Sequence, residues 1–231
     1  MHKLLRYLFN CVFGNFARKG DLNNLYAQIT DFMQIERIIG SGIILKPLRG
    51  WALSPDAVVH ILAELQQRDD PVMIEFGSGQ STVIFASYFK RRGKGRLISV
   101  EHDAVYAANI MKQIEALGLM EYVESHVVPL KDYTDVQTGN VSKSYDLTCV
   151  KKERKLDVVL VDGPPMSFGI LTRYYPIHWS LENLAVAGKI FLDDADRPNE
   201  RLIVQRVARN QPQIYVEELK TEKGLVALYF K

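Results

Sequence analysis

A doubly wound α/β fold is predicted by three features of the 231-residue sequence. From Asp70 onward, short apolar runs alternate with stretches of helical periodicity, the pattern of parallel strands joined by crossover helices. The first of those runs passes directly into Gly77, Ser78 and Gly79 and then into a helical stretch. At the carboxyl end, two β-type segments surround residues 221–223 and break the alternation, which predicts an antiparallel hairpin closing one edge of the sheet.

Each element has its own signal. Leu4, Leu5, Leu8, Phe9, Val12, Phe13 and Phe16 recur at helical spacing, with Lys3, Arg6, Asn10 and Asn15 mostly opposite, so the chain opens on an amphipathic helix. Packing on its own domain is the favoured role of this helix, and a homodimer contact or an anionic membrane surface is the alternative. Residues 22–46 read as helix and then irregular chain, punctuated by Gly40, Gly42 and Pro47. Ser54, Pro55 and Asp56 read as an N-cap with proline at the first helical position, opening a helix that ends near Arg68. Residues 1–50 are therefore expected to form an N-terminal helical extension, and residues 51–231 the main domain.

Within that domain, residues 72–76, 96–100, 122–128, 157–161 and 189–193 are predicted as buried strands, and residues 81–91, 104–118, 170–185 and 200–210 as helices. Residues 213–219 and 224–230 form the closing hairpin. The polar stretch between Pro129 and Leu156 reads as one long connection with at most a short strand at 145–150; connections of that length inside a compact domain are functional or mobile.

Composition excludes several classes. With 47% apolar and 24% charged residues the chain is that of a soluble globular protein. A formal charge of +2 gives no global attraction to nucleic acid, and the basic clusters at 90–96 and 151–155 read as solvated faces. Cys11 and Cys149 are too few for a disulfide framework or a cysteine-rich zinc site, which points to a reducing compartment. The apolar start is interrupted by Arg6 and Asn10 and lacks a small-residue cleavage site, so a cytoplasmic location is expected, with peripheral membrane contact left to the first helix.

The glycine turn carries the functional signal. Gly77 and Gly79 let a ligand approach the backbone at the end of a strand. Glu101 stands at the end of the next strand, about 20 residues on, where a carboxylate accepts both hydroxyls of a ribose. Thr82 replaces the third glycine of the dinucleotide fingerprint, and Glu75 adds an acid just before the turn, a feature suited to a ligand bearing an ammonium group rather than a pyrophosphate. A nicotinamide-dependent oxidoreductase is disfavoured on those two residues.

The segments GWALSPDAV, IEFGSGQST, LISVEHD, LDVVLVDGPP and KIFLDDADR together resemble the class I S-adenosylmethionine-dependent methyltransferases, of a bacterial small-molecule or glycan type, over residues 50–231. The resemblance implies a Rossmann-like sheet of seven strands in the order 3-2-1-4-5-7-6, with strand 7 antiparallel. It further implies that Glu75, Gly77, Ser78 and Gly79, with Ser81 and Thr82, hold the methionine part of S-adenosyl-L-methionine, that Glu101 holds the ribose, and that His102 and the turn at Pro129 and Leu130 flank the adenine. The methyl acceptor is expected to be a hydroxyl or amine of a small molecule or glycan, with no nucleic acid partner.

Chemistry is expected at the carboxyl ends of the fourth and fifth strands, where ligands gather in open parallel sheets. Asp162 ends the fourth, beside the cofactor, and Asp193, Asp194 and Asp196 follow the fifth. Asp162, Asp194 and Arg173 are the catalytic candidates, the carboxylates as base or orienter and the arginine as a grip on an anionic group. Asp162 and Asp194 also match two metal ligands of the catechol-type O-methyltransferases. In this sequence Ala195 replaces the expected asparagine ligand and Pro165 the expected lysine base, so magnesium is the less favoured reading and no metal ligands are assigned. A methyltransferase-like binding module without catalysis is the remaining alternative.

Overall fold

The computed structural model describes residues 19–40, 42, 43, 45–150 and 155–231. The amphipathic helix expected from Leu4 to Phe16 and most of the basic cluster at 151–155 lie outside the described residues. Helices α1 (Lys19–Ile39) and α2 (Pro55–Gln66) precede an alternating series: β1 (Val72–Phe76), α3 (Gln80–Arg92), β2 (Arg96–Glu101), α4 (Ala104–Ala116) and β3 (Val123–Val127). A hairpin of β4 (Leu130–Thr134) and β5 (Val141–Tyr145) follows, then β6 (Leu156–Val161), α5 (Tyr174–Leu181), β7 (Leu184–Asp193), α6 (Pro198–Asn210), β8 (Ile214–Leu219) and β9 (Leu225–Phe230). None of the described helices is long and apolar enough to cross a membrane.

The main sheet has seven strands in the order β3-β2-β1-β6-β7-β9-β8. The first five in that row are parallel, and β9 runs antiparallel to both neighbours. Because β4 and β5 pair only with each other, this is the 3-2-1-4-5-7-6 order with a hairpin inserted before the fourth strand. Helices cover both faces, so alternate residues of the central strands enter different cores. Met73, Val158 and Leu160 pack with Ile35 of α1, Ile61 of α2 and Phe85 of α3, while Ile74, Val159 and Val161 pack with Ile177 of α5 and Ile203 of α6. Double-sided burial is why these strands read as continuous apolar runs instead of alternating ones.

The order in which successive strands are added reverses between the parallel neighbours β1 and β6, so their carboxyl ends open a crevice. There Asp162 N donates to Phe76 O at 3.0 Å and Gly77 N to Val100 O at 2.8 Å, bringing the glycine turn against the Asp162 turn.

Two expectations are corrected. The stretch after Pro129 is an ordered hairpin, not an open connection. Its buried positions on β5 are Ser142, Ser144 and Tyr145, and the two serines leave no apolar alternation to mark it. It is tied down by a Tyr133–Tyr175 ring stack at 3.9 Å and by a two-pronged ion pair from Arg206 to Asp135. Residues 184 and 185, expected as the end of a helix, instead begin β7, which runs on to Asp193. The register with β6 shifts between Leu156 and Val158, and Gly188 lies where any Cβ would meet Leu156 O at 2.7 Å, a bulge that extends the strand. Ser54 is the N-cap of α2 with Pro55 at the first helical position, as expected, although its hydroxyl makes no capping bond.

Candidate cofactor and catalytic site

Glu75 on β1 organises the glycine turn from below. Its side chain is inaccessible to solvent and accepts hydrogen bonds from Ser81 Oγ at 2.8 Å, Ser99 Oγ at 2.7 Å and Thr82 Oγ1. Burial pushes its carboxyl up to about 7, against the pull of the three hydroxyls. Thr82 Oγ1 also accepts from Gly79 N at 2.9 Å, and Ser78 Oγ lies 2.7 Å from Ser99 Oγ. Ser81 and Thr82, both expected at the cofactor, thus turn their hydroxyls inward to Glu75. Gly77 has φ +103°, in the left-handed region, and a Cβ there would approach Gly163 N at 3.2 Å, so glycine is required twice over.

Glu101, at the end of β2, closes the turn from the side. It accepts from Ser78 N at 3.1 Å through Oε2, and from His102 N at 2.7 Å and Asp103 N at 2.9 Å through Oε1. His102 Nδ1 lies 2.7 Å from Oε1 without the alignment of a hydrogen bond. The His102 ring meets Phe168 edge-on at 5.3 Å and Tyr145 at 6.2 Å. Leu130 pairs with Tyr145 across the hairpin, so the structure gathers Leu130, Tyr145, His102 and Phe168 into an apolar corner beside Glu101.

Across the crevice, side-chain oxygens of Asp162, Asp193 and Asp194 lie within 4.8 Å of one another. Two cations thread the group. Arg173 Nη2 is 3.3 Å from Asp162 Oδ1 and 3.1 Å from Asp194 Oδ2, while its Nη1 donates to Asp193 O at 3.0 Å and lies 3.8 Å from Glu200. Lys223 Nζ donates to Asp193 Oδ2 at 2.7 Å and sits 3.3 Å from Asp194 Oδ1. Arg197 adds a third cation, 2.8 Å from Asp194 Oδ2. Asp194 itself has φ +59°, an uncommon backbone state for a residue with a side chain.

Electrostatics follow the geometry. Burial, then Asp193, raises the Asp162 carboxyl well above the usual range, although Arg173 opposes the shift. Burial also raises Asp193, with Lys223 pulling the other way. On Arg173 and Lys223 burial works against the charge, but the surrounding carboxylates outweigh it and both stay protonated more firmly than in water. Among the carboxylates of the cluster, Asp162 is the accessible one, with 17% of its side chain exposed against 4% or less for Asp193, Asp194 and Glu200.

All three catalytic candidates of the sequence therefore meet in one place. Lys223 was not foreseen, yet its signal was present. Antiparallel β9 begins opposite the end of β7, with Leu225 paired to Asp193, so the turn before it falls on the same edge as the parallel strands' carboxyl ends. The segment before α2 and the first turn of α2 fix that turn: Arg49 pairs with Glu222, Glu222 N donates to Asp56 Oδ2 at 2.7 Å, and Lys223 Nζ donates to Ala52 O at 3.3 Å.

A seven-stranded sheet with one antiparallel strand next to its edge, and a glycine turn and acid at the first two carboxyl ends, defines the class I methyltransferase fold. A methyltransferase-domain family matches residues 74–195, just over half of the chain. The chain belongs to that family. Comparison with curated proteins finds no match. Among solved structures, the chain is similar to an O-methyltransferase from Bacillus cereus in complex with S-adenosylhomocysteine, at 15% identity over 91% of this chain and 97% of that one, TM-score 0.59. It is also similar to the S-adenosylhomocysteine-bound methyltransferase PaMTH1 of Podospora anserina, at 14% identity over 78% and 80%, TM-score 0.57. A third is the O-methyltransferase TomG of Streptomyces achromogenes, involved in tomaymycin synthesis and complexed with S-adenosylmethionine, at 17% identity over 78% and 81%, TM-score 0.55. At these identities the structures speak for the fold.

Proposed function

We propose that this protein is a metal-independent S-adenosylmethionine-dependent methyltransferase acting on a hydroxyl or amine of a small molecule or glycan. The observation that carries the reading is the pairing of three strand-end carboxylates with Arg173 and Lys223 directly across the crevice from the glycine turn and Glu101.

The chain's own residues fit the cofactor. Gly77 and Gly163 let the glycine turn and the Asp162 turn pack directly against each other, and Glu101 Oε2, with one main-chain donor, retains capacity to accept from a sugar hydroxyl. Glu75 acts through the loop that it braces. Bound S-adenosylmethionine supplies an electrophilic methyl group on a positively charged sulfur. Four carboxylates (Asp162, Asp193, Asp194, Glu200) face three cations (Arg173, Lys223, Arg197), so the positive sulfur favours the ionised form of Asp162, an acid without a full cation of its own. Asp162, the accessible acid, orients the acceptor hydroxyl or amine and takes its proton. Arg173 holds Asp162 in place and keeps it on the crevice side of the cluster. Positioning of this kind supplies much of the rate in a two-reactant transfer.

The same residues do not fit a divalent ion. Magnesium needs oxygen ligands at about 2.1 Å in near-octahedral array, whereas the oxygens that would supply them already hold a guanidinium and an ammonium at 2.7 to 3.3 Å. Binding of metal would first require Arg173 and Lys223 to be displaced from a buried position.

Calorimetric titration tests the cofactor half of the reading. Wild-type protein is expected to bind S-adenosylmethionine and S-adenosylhomocysteine but not NAD. Glu101→Ala is expected to weaken both by roughly 10- to 100-fold, the loss of charge-assisted hydrogen bonds worth about 1.5 to 3 kcal/mol. Unchanged affinity in folded Glu101→Ala would remove Glu101 from the site.

A further inference from the structure

Tyr145 ends the inserted hairpin, and only 1% of it is accessible to solvent. Its hydroxyl has no hydrogen-bond partner among the described residues, a costly state for a buried polar group and one that calls for an explanation. The ring is fixed between Phe76 at 5.8 Å and His102 at 6.2 Å. Its main chain is fixed as well. Tyr133 Oη donates to Tyr145 O at 3.0 Å, Ser144 Oγ donates to Thr172 O at 2.7 Å, and Ser142 Oγ accepts from Leu171 N at 3.2 Å. The hydroxyl is thereby held over the junction of the β1 and β6 ends: a Cβ on Gly163 would stand 2.5 Å from Tyr145 Oη, with Phe76 O at 3.2 Å and Gly77 Cα at 3.3 Å from the same point.

Gly163 sharpens the point. Its φ lies outside the left-handed region, so its backbone does not demand glycine. What forbids a side chain at 163 is the space taken by the Tyr145 hydroxyl and the adjoining β1 backbone. A rigid, buried and unpaired donor therefore stands at the switch point, in the apolar corner beside Glu101. We infer that Tyr145 is a cofactor-binding residue whose hydroxyl hydrogen-bonds the sugar of the bound nucleoside alongside Glu101. The inference rests on the cofactor reading above. It gives the hairpin a role, which is to deliver one phenol to a crevice otherwise built from the ends of the main sheet.

Tyr145→Phe tests it with two readouts that a merely structural tyrosine would not produce together. Titrated with S-adenosylmethionine, S-adenosylhomocysteine and 5′-methylthioadenosine, the variant is expected to lose about five- to tenfold in affinity for all three, because all three share the sugar. In the absence of ligand its melting temperature is expected to equal or exceed that of wild type, since the substitution removes an unpaired polar atom and no folded-state bond. Wild-type affinity for all three ligands would overturn the assignment. So would a loss confined to the two amino-acid-bearing ligands, or a drop in ligand-free stability with binding intact. If wild type itself bound none of the three, the cofactor reading would fall and this inference with it; a wild type that binds, beside an equally tight Tyr145→Phe, sinks the tyrosine alone.

Discussion

Asp162→Asn is expected to lower turnover by about a hundredfold or more, measured as S-adenosylhomocysteine released with a hydroxyl or amine acceptor, while S-adenosylmethionine affinity changes less than about threefold. The carboxamide keeps the shape and an acceptor oxygen within reach of Arg173 Nη2, which lies 3.3 Å from Asp162 Oδ1, so the crevice is preserved. What it loses is the capacity to take a proton. Asp162 is the member of the acid group open to the crevice, and its carboxyl is raised by burial and by Asp193, which makes it a stronger base than an exposed aspartate. The positive sulfur of the bound cofactor then favours its charged form. A parallel fall in affinity and turnover would instead make Asp162 a cofactor ligand only.

The second large effect is on the fold. Arg173→Met should lower the free energy of unfolding by about 3 to 5 kcal/mol, because it strips one partner from a buried charge network. Arg173 is 3% exposed, bridges Asp162 and Asp194, and also donates to Asp193 O. Without it, Lys223 and Arg197 face four acids. Those carboxylates would respond by holding protons more tightly, so the deficit relative to wild type should be smaller at about pH 5 than at about pH 8 in urea unfolding. Arg173→Lys keeps the charge but not the planar fork that reaches two carboxylates and a carbonyl at once, and is expected to fall between the two. A Met variant as stable as wild type at both pH values would show that the network contributes nothing to folding.

Much of this architecture was legible because burial on both faces leaves a plain mark. Val72 to Phe76 and Leu156 to Val161 are almost unbroken apolar runs, and each ends where the site begins. Gly77, Gly79, Glu101 and Asp162 were readable for the same reason, as polar or flexible residues at the ends of such runs; the strand order came from family resemblance. The hairpin was not readable, because Ser142 and Ser144 fill two of the three buried positions of β5 and bond to residues 171 and 172 instead of joining a core. Tyr145 was hidden with it. Lys223 was overlooked as a turn residue, although an antiparallel last strand must return its turn to the catalytic edge. Leu184 and Ala185 misled as good helix formers, until the pairing of Leu184 with Leu156 of β6 is known.

The central claim is that Arg173 and Lys223 do at this site what a divalent ion would otherwise do, neutralising Asp162, Asp193 and Asp194 while Asp162 serves the acceptor. Its most direct test is methyl transfer by protein stripped with EDTA, assayed with and without added magnesium. Full activity in both assays, with no calorimetric magnesium binding by wild type, is the predicted result. Activity abolished by EDTA and restored by magnesium would contradict the account and make Asp162 and Asp194 metal ligands.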